Sequence, residues 1–441
     1  MTFAELNLNA SLLNALQDLQ ITEATTIQAA TFAKAMSGAD ICGIAQTGTG
    51  KTFAYLLPLL RLHKFSKDKH PQILVMVPTR ELALQVKESA LQLSKYMTIR
   101  VLAVFGGVNI SSQLNEVKDG VDLIVATPGR LLDLIYSGSL RMNSIKRVVI
   151  DEMDEMLNLG FRTQLERVLD SLPSKRQNLL FSATITEEVE LIMHDFFNTP
   201  ILVEAAPSGT PLENITQQKY AVPNFNTKLN LVKHLLQESS MQKVLLFADS
   251  KRMADEIFLA LSKGDSYNIG VIHSNKDQRN RIQTLQDFKD GKYKLLIATD
   301  LIARGIDVAE VSHVISFDMP EKVENYIHRI GRTGRADASG NAIAFYTRLE
   351  EENLIAIENF MNYEIPKSEI PQDVEISGIL TSDEQPKVFM KEISSQLPKL
   401  ESKGAAFHEK ALKNVVHTKP LSFKDKMKQK YKKPKKRKPK I

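Results

Sequence analysis

A glycine-rich segment between two apolar patterns constrains this chain more than any other feature. The β-branched run Ile41–Ala45 leads into Gln46-Thr47-Gly48-Thr49-Gly50-Lys51-Thr52, and a helical apolar pattern follows. Glycines let backbone N–H groups curl around phosphate oxygens, and the N-terminus of the following helix adds partial positive charge. Strand, loop and helix in this order predict a P-loop, in which Lys51 reaches the β- and γ-phosphates and Thr52 holds Mg²⁺.

A pair of carboxylates supplies the second half of this predicted site. Asp151 ends the apolar run Val148–Asp151, and Glu152 follows it. In an open α/β sheet, ligands bind at the carboxyl ends of the strands. We therefore expect Asp151 to bind the Mg²⁺ and Glu152 to orient or deprotonate the attacking water. The alternative is a solvated acidic pair at a strand end.

Short runs that are apolar on both faces recur in both halves of the chain. This pattern is typical of parallel strands covered by helices on both sides. The predicted strands are Ile41–Ala45, Ile73–Val77, Val101–Phe105, Leu123–Ala126, Val148–Asp151, Asn178–Ser182, Val244–Ala248, Ile269–Ile272, Leu295–Ala298, His313–Phe317 and Ala342–Tyr346. We expect strands to end near Thr347 and a helix to follow as far as Met361.

Changes of composition divide the chain into four parts. Prolines and a glycine in the segment 205–211 indicate an exposed linker. We place a first domain at 1–206, the linker at 207–213, a second domain at 214–365 and a C-terminal extension at 366–441. The last 23 residues, 419–441, contain 11 Lys, 1 Arg and 1 Asp, a net charge of +11, and predict a disordered basic tail.

Composition also excludes several classes of protein. The single cysteine, Cys42, rules out a disulfide within the chain and a zinc site built on thiolates. No apolar run approaches the about 18 residues of a membrane span, and the N-terminus lacks the pattern of a secretory leader. We expect a cytoplasmic protein that does not contact a membrane.

An ordered set of short motifs resembles the DEAD-box ATP-dependent RNA helicases of superfamily 2. The motifs are Ala45–Thr52, Pro78–Ala83, Gly106-Gly107, Thr127–Arg130, Asp151–Asp154, Ser182–Thr184, Ala298–Asp300, Arg304–Asp307 and His328–Arg335. The resemblance covers residues 1–365 and, within the family, is greatest to the bacterial RhlE-type subgroup. It implies an α/β fold with two tandem RecA-like P-loop domains, and ATP and Mg²⁺ as cofactors. Met153 replaces the family's alanine, but both carboxylates are unchanged, so we expect catalysis to survive.

The resemblance also implies roles for single residues at the nucleotide. Arg332 and Arg335 match the family's arginine fingers, and their spacing predicts a shared face of a helix that begins after Tyr326. Gln28 would read the adenine edge, Ile21 stands where the family has a stacking aromatic ring, and Asp307 would contact the ribose. The remaining predicted nucleotide contacts are Gln46, Thr47, Gly48, Thr49, Gly50, Lys51 and Thr52.

Two further groups are implied by the resemblance. Ser182, Thr184 and His328 match residues that couple the two domains. The predicted RNA contacts are Arg80, Gly107, Thr127, Gly129, Arg130, Thr299 and Asp300. Backbone N–H groups, hydroxyls and arginines favour phosphate and 2′-OH groups, so we expect little sequence specificity. Arg281 is either part of this RNA surface or a plain helix arginine.

Together these features predict an ATP-dependent RNA helicase and RNA-stimulated ATPase. It would bind single-stranded RNA and unwind short duplexes locally while hydrolysing Mg-ATP to ADP and phosphate. A DNA helicase and an RNA chaperone or annealing protein stay open as alternatives. RNA is the predicted partner, with ribosome-assembly or RNA-decay proteins as further partners, and we expect a monomer.

Overall fold

Buried apolar runs form two parallel sheets, one in each half of the chain. The computed structural model describes residues 1–45, 48–204, 214–263, 268–300, 311–334 and 339–385. Residues Met1–Gln385 pack as one unit, in which we call the part around the first sheet the first lobe and the part around the second sheet the second lobe.

The first lobe contains seven parallel strands in the order β3-β4-β2-β5-β6-β1-β7. Its strands are β1 Ile41–Ile44, β2 Ile73–Met76, β3 Val101–Val104, β4 Leu123–Ala126, β5 Arg147–Asp151, β6 Gln177–Ser182 and β7 Ile201–Glu204. Its α-helices are α1 Ala10–Asp18, α2 Thr26–Met36, α3 Lys51–Leu62, α4 Arg80–Leu93, α5 Ile110–Asp119, α6 Pro128–Tyr136, α7 Met153–Asn158, α8 Arg162–Asp170 and α9 Glu187–Phe196. A 3₁₀ turn, Phe3–Leu6, precedes them.

The second lobe repeats this plan, with the strand order β10-β11-β9-β12-β13-β8-β14. Its strands are β8 Ile215–Ala221, β9 Val244–Phe247, β10 Ile269–Ile272, β11 Leu295–Ala298, β12 His313–Ser316, β13 Gly340–Tyr346 and β14 Lys367–Ser368. Its described α-helices are α10 Phe225–Leu235, α11 Lys251–Leu261, α12 Gln278–Lys289, α13 Val323–Ile330 and α14 Glu351–Met361. None of the described helices of either lobe has the length and apolar character needed to traverse a lipid bilayer.

The central strands are buried on both faces, which explains their uniformly apolar sequences. In β2 and β4 every residue is buried, and separate apolar clusters cover the two faces of the first sheet. Parallel strands place all their carboxyl ends at one edge of a sheet. The loops that carry the predicted motifs after β1, β2, β4, β5 and β6 therefore emerge on the same side of the first lobe.

The sequence predicted this architecture but missed three strands. All the predicted strands are present, whereas β7, β8 and β14 were not expected. The expectation that strands end near Thr347 is wrong, because β14 pairs with β8 and Val374 is buried in the apolar core of the second lobe. The predicted linker 207–213 and the basic tail 419–441 lie outside the described residues, and the proposed domain boundaries stay predictions.

Candidate nucleotide and nucleic-acid site

The glycine-rich loop has the backbone conformation that its sequence predicts. Gly48 and Gly50 have φ angles of 88° and 90°, in the left-handed region that favours glycine. Gly50 is the N-cap of α3, and a Cβ there would collide with Nε2 of Gln28. The loop therefore turns tightly into the N-terminus of α3. Gln46 and Thr47 lie outside the described residues.

The first residue of α3 has a buried ammonium group. Lys51 is 6% exposed, and its Nζ has no hydrogen-bond partner among the described residues. A buried charge of this kind is costly unless it is paired. Its position at a helix N-terminus beside a glycine-rich loop suits a phosphate group. The residues present thus fit the predicted nucleotide.

The two predicted acidic residues follow each other at the carboxyl end of β5. Oδ2 of Asp151 accepts a hydrogen bond from the Tyr55 hydroxyl at 2.9 Å, and Oδ1 accepts one from the Glu152 N–H at 3.0 Å. Burial raises the pKa of the Asp151 carboxyl to about 6, although the positive charge of Lys51 opposes the rise. Oε2 of Glu152 is buried and has no hydrogen-bond partner among the described residues.

The Asp151 carboxylate and the Thr52 hydroxyl are oxygen donors, the kind of ligand that Mg²⁺ takes. No cluster of three or more His, Cys, Asp or Glu side chains that could hold a metal occurs in the described ranges. Mg²⁺ is usually bound through one or two carboxylates together with phosphate oxygens and water. Asp151 and Thr52 fit this limited role.

Gln28 contacts the P-loop directly. Its Oε1 accepts the Thr25 N–H at 3.0 Å, and its Nε2 donates to the Gly50 carbonyl at 3.1 Å. Ile21 follows α1 and packs against the core of the first lobe while staying partly exposed. The structure thus ties the predicted adenine-reading side chain to the phosphate loop. Asp307 lies outside the described residues.

The three predicted coupling residues meet at Asp154. Its Oδ2 accepts hydrogen bonds from the N–H and hydroxyl of Thr184 at 3.1 and 2.9 Å, and its N–H donates to the Ser182 hydroxyl at 3.3 Å. Nε2 of His328, on α13 of the second lobe, lies 3.8 Å from the same Oδ2. Asp154 therefore links its own motif and the Ser182–Thr184 motif to His328 of the second lobe, a role that no sequence pattern predicted.

Arg332 does not lie on a helix. The expected shared helical face is wrong for this residue, because the helix α13 begins at Val323, before Tyr326, and ends at Ile330, with Gly331 as its C-cap. Arg332 is buried in the turn that follows, and its Nε donates to the His328 carbonyl at 3.1 Å. The Asn214 amide donates to the Gly334 carbonyl at 2.8 Å and holds this turn against β8. Arg335 lies outside the described residues.

A cavity of about 600 Å³ opens where the two lobes meet. We call it the junction cavity, and its walls include all five RNA contacts predicted in the first lobe: Arg80, Gly107, Thr127, Gly129 and Arg130. Gly107 has a φ of 80°, and a Cβ there would collide with the Arg80 guanidinium. From the second lobe, Lys276, Gln278 and Arg281 complete the walls. Several arginines and a lysine thus line the cavity, and these side chains are the ones that bind the phosphates of a nucleic acid.

The lobes contact each other through side chains at one end of the junction cavity. Glu81 accepts hydrogen bonds from Arg281 at 2.5 Å and from Gln278 at 3.2 Å, and Arg80 donates to Gln278 at 3.3 Å. Arg281 is therefore an inter-lobe residue, not a plain helix arginine. Glu81 and Gln278 were missed, and the burial of Glu81 on the first turn of α4 has no counterpart in a local sequence pattern.

Thr299 and Asp300 line a neighbouring cavity of about 620 Å³. Both carboxylate oxygens of Asp300 accept hydrogen bonds from Arg329, at 2.6 and 2.8 Å. Arg329 is fully buried and also lies 3.3 Å from Asp318. The Asp300 side chain is thus engaged within the second lobe. Arg329, for which the sequence predicted no role, is the residue that binds the Asp300 carboxylate.

Comparison with known proteins agrees with this geometry. Residues 25–192 match the family model "DEAD/DEAH box helicase", and residues 227–337 match "Helicase conserved C-terminal domain". The chain is 40% identical over 370 residues to the DEAD-box ATP-dependent RNA helicase CshA of Bacillus cereus, covering 84% of this chain and 70% of that protein. It is 36% identical over 375 residues to the ATP-dependent RNA helicase DbpA of Bacillus subtilis, covering 85% and 78%.

Solved structures with bound ligands have the same fold. Dbp5 of S. cerevisiae, bound to RNA and ADP BeF3, superposes with a TM-score of 0.76 at 28% identity, covering 84% of this chain and 96% of that one. Mss116p, bound to ssRNA and AMP-PNP, gives a TM-score of 0.77 at 27% identity, covering 84% and 79%. With two RecA-like lobes, a P-loop and the ordered motifs in place, the chain belongs to the DEAD-box family of ATP-dependent RNA helicases.

Proposed function

We propose that this RNA-stimulated ATPase hydrolyses Mg-ATP with residues of its first lobe. Lys51 would bind the β- and γ-phosphates, while Thr52 and Asp151 would hold the Mg²⁺. When bound, the metal neutralises charge that develops on the phosphate oxygens. Glu152 would accept a proton from the attacking water. The observation that carries this proposal is a pair of buried side-chain atoms, Lys51 Nζ and Glu152 Oε2, which have no hydrogen-bond partner in the part of the chain that the structure describes.

The second lobe would complete the site. Arg332 is the proposed arginine finger and, with Arg335, would stabilise negative charge on the γ-phosphoryl group. Asp154 supports a link between hydrolysis and lobe contact, because it is bonded to Thr184 and Ser182 and lies 3.8 Å from His328 of the other lobe. Loss of the γ-phosphate would then weaken the contact between the lobes.

The junction cavity is the proposed path for single-stranded RNA. Its arginines and backbone N–H groups favour phosphate and 2′-OH contacts, so binding would not depend on base sequence. RNA in this cavity would contact both lobes, so its binding would be stabilised only while the lobes are together. Short duplexes would be separated locally, because the strand bound in the cavity excludes its partner.

Replacing Glu152 by Gln tests the proposed water activation. The amide keeps the size of the side chain but cannot take a proton, so we expect RNA-stimulated ATP turnover to fall by roughly 100-fold or more. Binding of a fluorescent ATP analogue and of RNA should persist. Turnover would be measured with RNA, with DNA of the same sequence and without nucleic acid.

A matched control for this variant is Glu358→Gln, which removes a carboxylate that pairs with Lys219 in the second lobe. We expect this control to keep its turnover. If Glu152→Gln hydrolyses ATP at the wild-type rate, the water-activation role is wrong. Stimulation by DNA equal to that by RNA would favour the DNA helicase.

Several finer assignments remain our proposals. The RhlE-type subgroup rests on the motif set, whereas the relatives named above are CshA and DbpA. A cytoplasmic location, a monomeric state and partners in ribosome assembly or RNA decay rest on the sequence and the family. ATP-independent strand annealing would show that a chaperone role coexists with unwinding.

A further inference from the structure

One buried tyrosine contacts the proposed metal-binding carboxylate. Tyr55 lies in α3, one turn after Thr52, and is fully buried. Its hydroxyl donates a hydrogen bond of 2.9 Å to Oδ2 of Asp151 and also interacts with the Thr52 side chain. One hydroxyl therefore hydrogen-bonds Asp151 and lies near Thr52, the two residues that we assign to Mg²⁺.

The ring of Tyr55 has little freedom to move. It packs against Phe181 of β6, with ring centroids 5.4 Å apart and an angle of 51° between the planes. Phe181 is itself fully buried and lies against Gly43 of β1, where a Cβ would collide with the phenyl ring. The sheet thus fixes the ring, and the ring fixes the direction of the hydroxyl.

The hydroxyl completes a two-point anchor on Asp151. Oδ2 is held by Tyr55, and Oδ1 is held by the N–H of Glu152. Hydrogen bonds to both oxygens set the rotation of the carboxylate and leave the other lone pairs of each oxygen for a cation. Partners in this position tune metal affinity by orienting the ligand group.

We propose that Tyr55 is a positioning residue that presents Asp151 and Thr52 to Mg²⁺ and so sets the metal requirement of nucleotide binding. The inference rests on the proposed roles of Asp151 and Thr52. A tyrosine that only satisfied a buried carboxylate would contribute to stability. A positioning tyrosine also changes the dependence on Mg²⁺, which separates the two roles.

The test is Tyr55→Phe, which removes the hydroxyl and keeps the ring. Binding of a fluorescent ADP derivative would be measured as free Mg²⁺ is varied and, separately, in EDTA. We expect the Mg²⁺ concentration for half-maximal binding to rise by about 10-fold, as is typical when such a partner is lost. Binding in EDTA should be unchanged, because the phosphate loop is intact.

Two further tyrosines serve as controls. Tyr326→Phe removes a buried hydroxyl that donates to Gln217 at 3.0 Å, and Tyr96→Phe removes an exposed hydroxyl that donates to Asp18 at 2.8 Å. Neither should alter the Mg²⁺ dependence. Thermal melting of all three variants would show whether lost stability accounts for any change.

Asp151→Asn separates failure of the inference from failure of the proposed function. If Asp151→Asn leaves the Mg²⁺ dependence unchanged, the metal assignment itself is wrong. If Asp151→Asn shifts it and Tyr55→Phe does not, the metal assignment stands and the positioning role of Tyr55 is overturned. Because Tyr55 is proposed to act through the Asp151 carboxylate, adding Tyr55→Phe to Asp151→Asn should produce no further shift in the Mg²⁺ dependence.

Discussion

Gln20 and Glu152 both have the positive φ that favours glycine, with values of 59° and 52°. Glu152 is the N-cap of α7, and the Asp151 carboxylate accepts its N–H. A left-handed non-glycine residue costs of order 1–3 kcal/mol and persists where its surroundings determine it. At Glu152, the proposed base, the hydrogen bond to the Asp151 carboxylate helps to hold this conformation, whereas Gln20 is not among the proposed site residues.

Gln20→Gly should stabilise the first lobe. Gln20 follows α1 in a Schellman arrangement, in which its N–H bonds to the Gln17 carbonyl and the N–H of Ile21 bonds to the Leu16 carbonyl. Glycine adopts this conformation without strain, so we expect a gain of roughly 1 kcal/mol in unfolding free energy, measured by urea denaturation.

The control for this prediction is Asn362→Gly, at the left-handed C-cap of α14. Asparagine tolerates this region better than glutamine does, so the gain there should be smaller. A loss of stability in Gln20→Gly would mean that the glutamine side chain stabilises this turn.

At the residue scale, the sequence predicted the features that depend only on residues close together in the chain. The glycine loop and the acidic pair of β5 have local patterns and were identified. The contacts of Asp151 with Tyr55 and of Glu81 with Arg281 join residues about 100 and 200 positions apart. No local pattern marks such pairs, because only the fold brings them together.

Among the elements, the missed strands share a physical cause. Central strands are apolar throughout, whereas β7 is an edge strand with mostly exposed residues. β8 is mostly buried but contains Gln217, which accepts a hydrogen bond from the Tyr326 hydroxyl, and Lys219, which pairs with Glu358. A strand whose polar residues are hydrogen-bonded inside the fold lacks the continuous apolar run by which a buried strand is predicted.

A chain that ends at Ile365 should be less stable than one that ends at Gln385. The longer chain keeps β14 and buries Val374. It also keeps the Ser377 and Glu375 carbonyls, which accept hydrogen bonds from Asn224 and Asn230 of the α10 region. We expect the shorter chain to lose about 2 kcal/mol or more, seen as a lower melting temperature.

The matched control in the longer chain is Ile376→Ser with Ile379→Ser, two exposed side chains of the same segment that should matter little. Equal melting of the two truncated chains would support the predicted domain boundary at 365.

For the whole molecule, the distribution of charge matters more than its sum. The chain has a net charge of +5, but residues 1–418 contain 45 Lys+Arg and 51 Asp+Glu, and residues 419–441 contribute +11. Attraction of RNA to the two lobes must therefore come from local groups such as Arg80 and Arg130. Non-specific attraction at a distance is expected from the terminal segment.

Removing residues 419–441 should lower the salt dependence of RNA binding. If about five of its charges meet phosphates, the slope of log K against log salt falls by roughly 3.5, about a hundredfold in affinity between 50 and 200 mM. Fluorescence anisotropy with labelled single-stranded RNA would measure the slope. Basal ATPase should not change, because the segment contributes no residue of the proposed catalytic site.

The control replaces residues 419–441 by an uncharged segment of equal length, and it should behave like the deletion. An unchanged slope in both variants would mean that this segment does not meet RNA phosphates.

Because the thiol of β1 is buried, the chain is suited to site-specific labelling with fluorescent dyes. Cys42 is 1% exposed, and burial raises the pKa of its thiol to about 11, so almost none is present as the reactive thiolate at neutral pH. The sequence contains no other cysteine and no tryptophan. Dyes attached to cysteines introduced at the exposed positions of Asn158 and Lys322, whose side chains touch across the lobes, would therefore report lobe separation in the otherwise native chain.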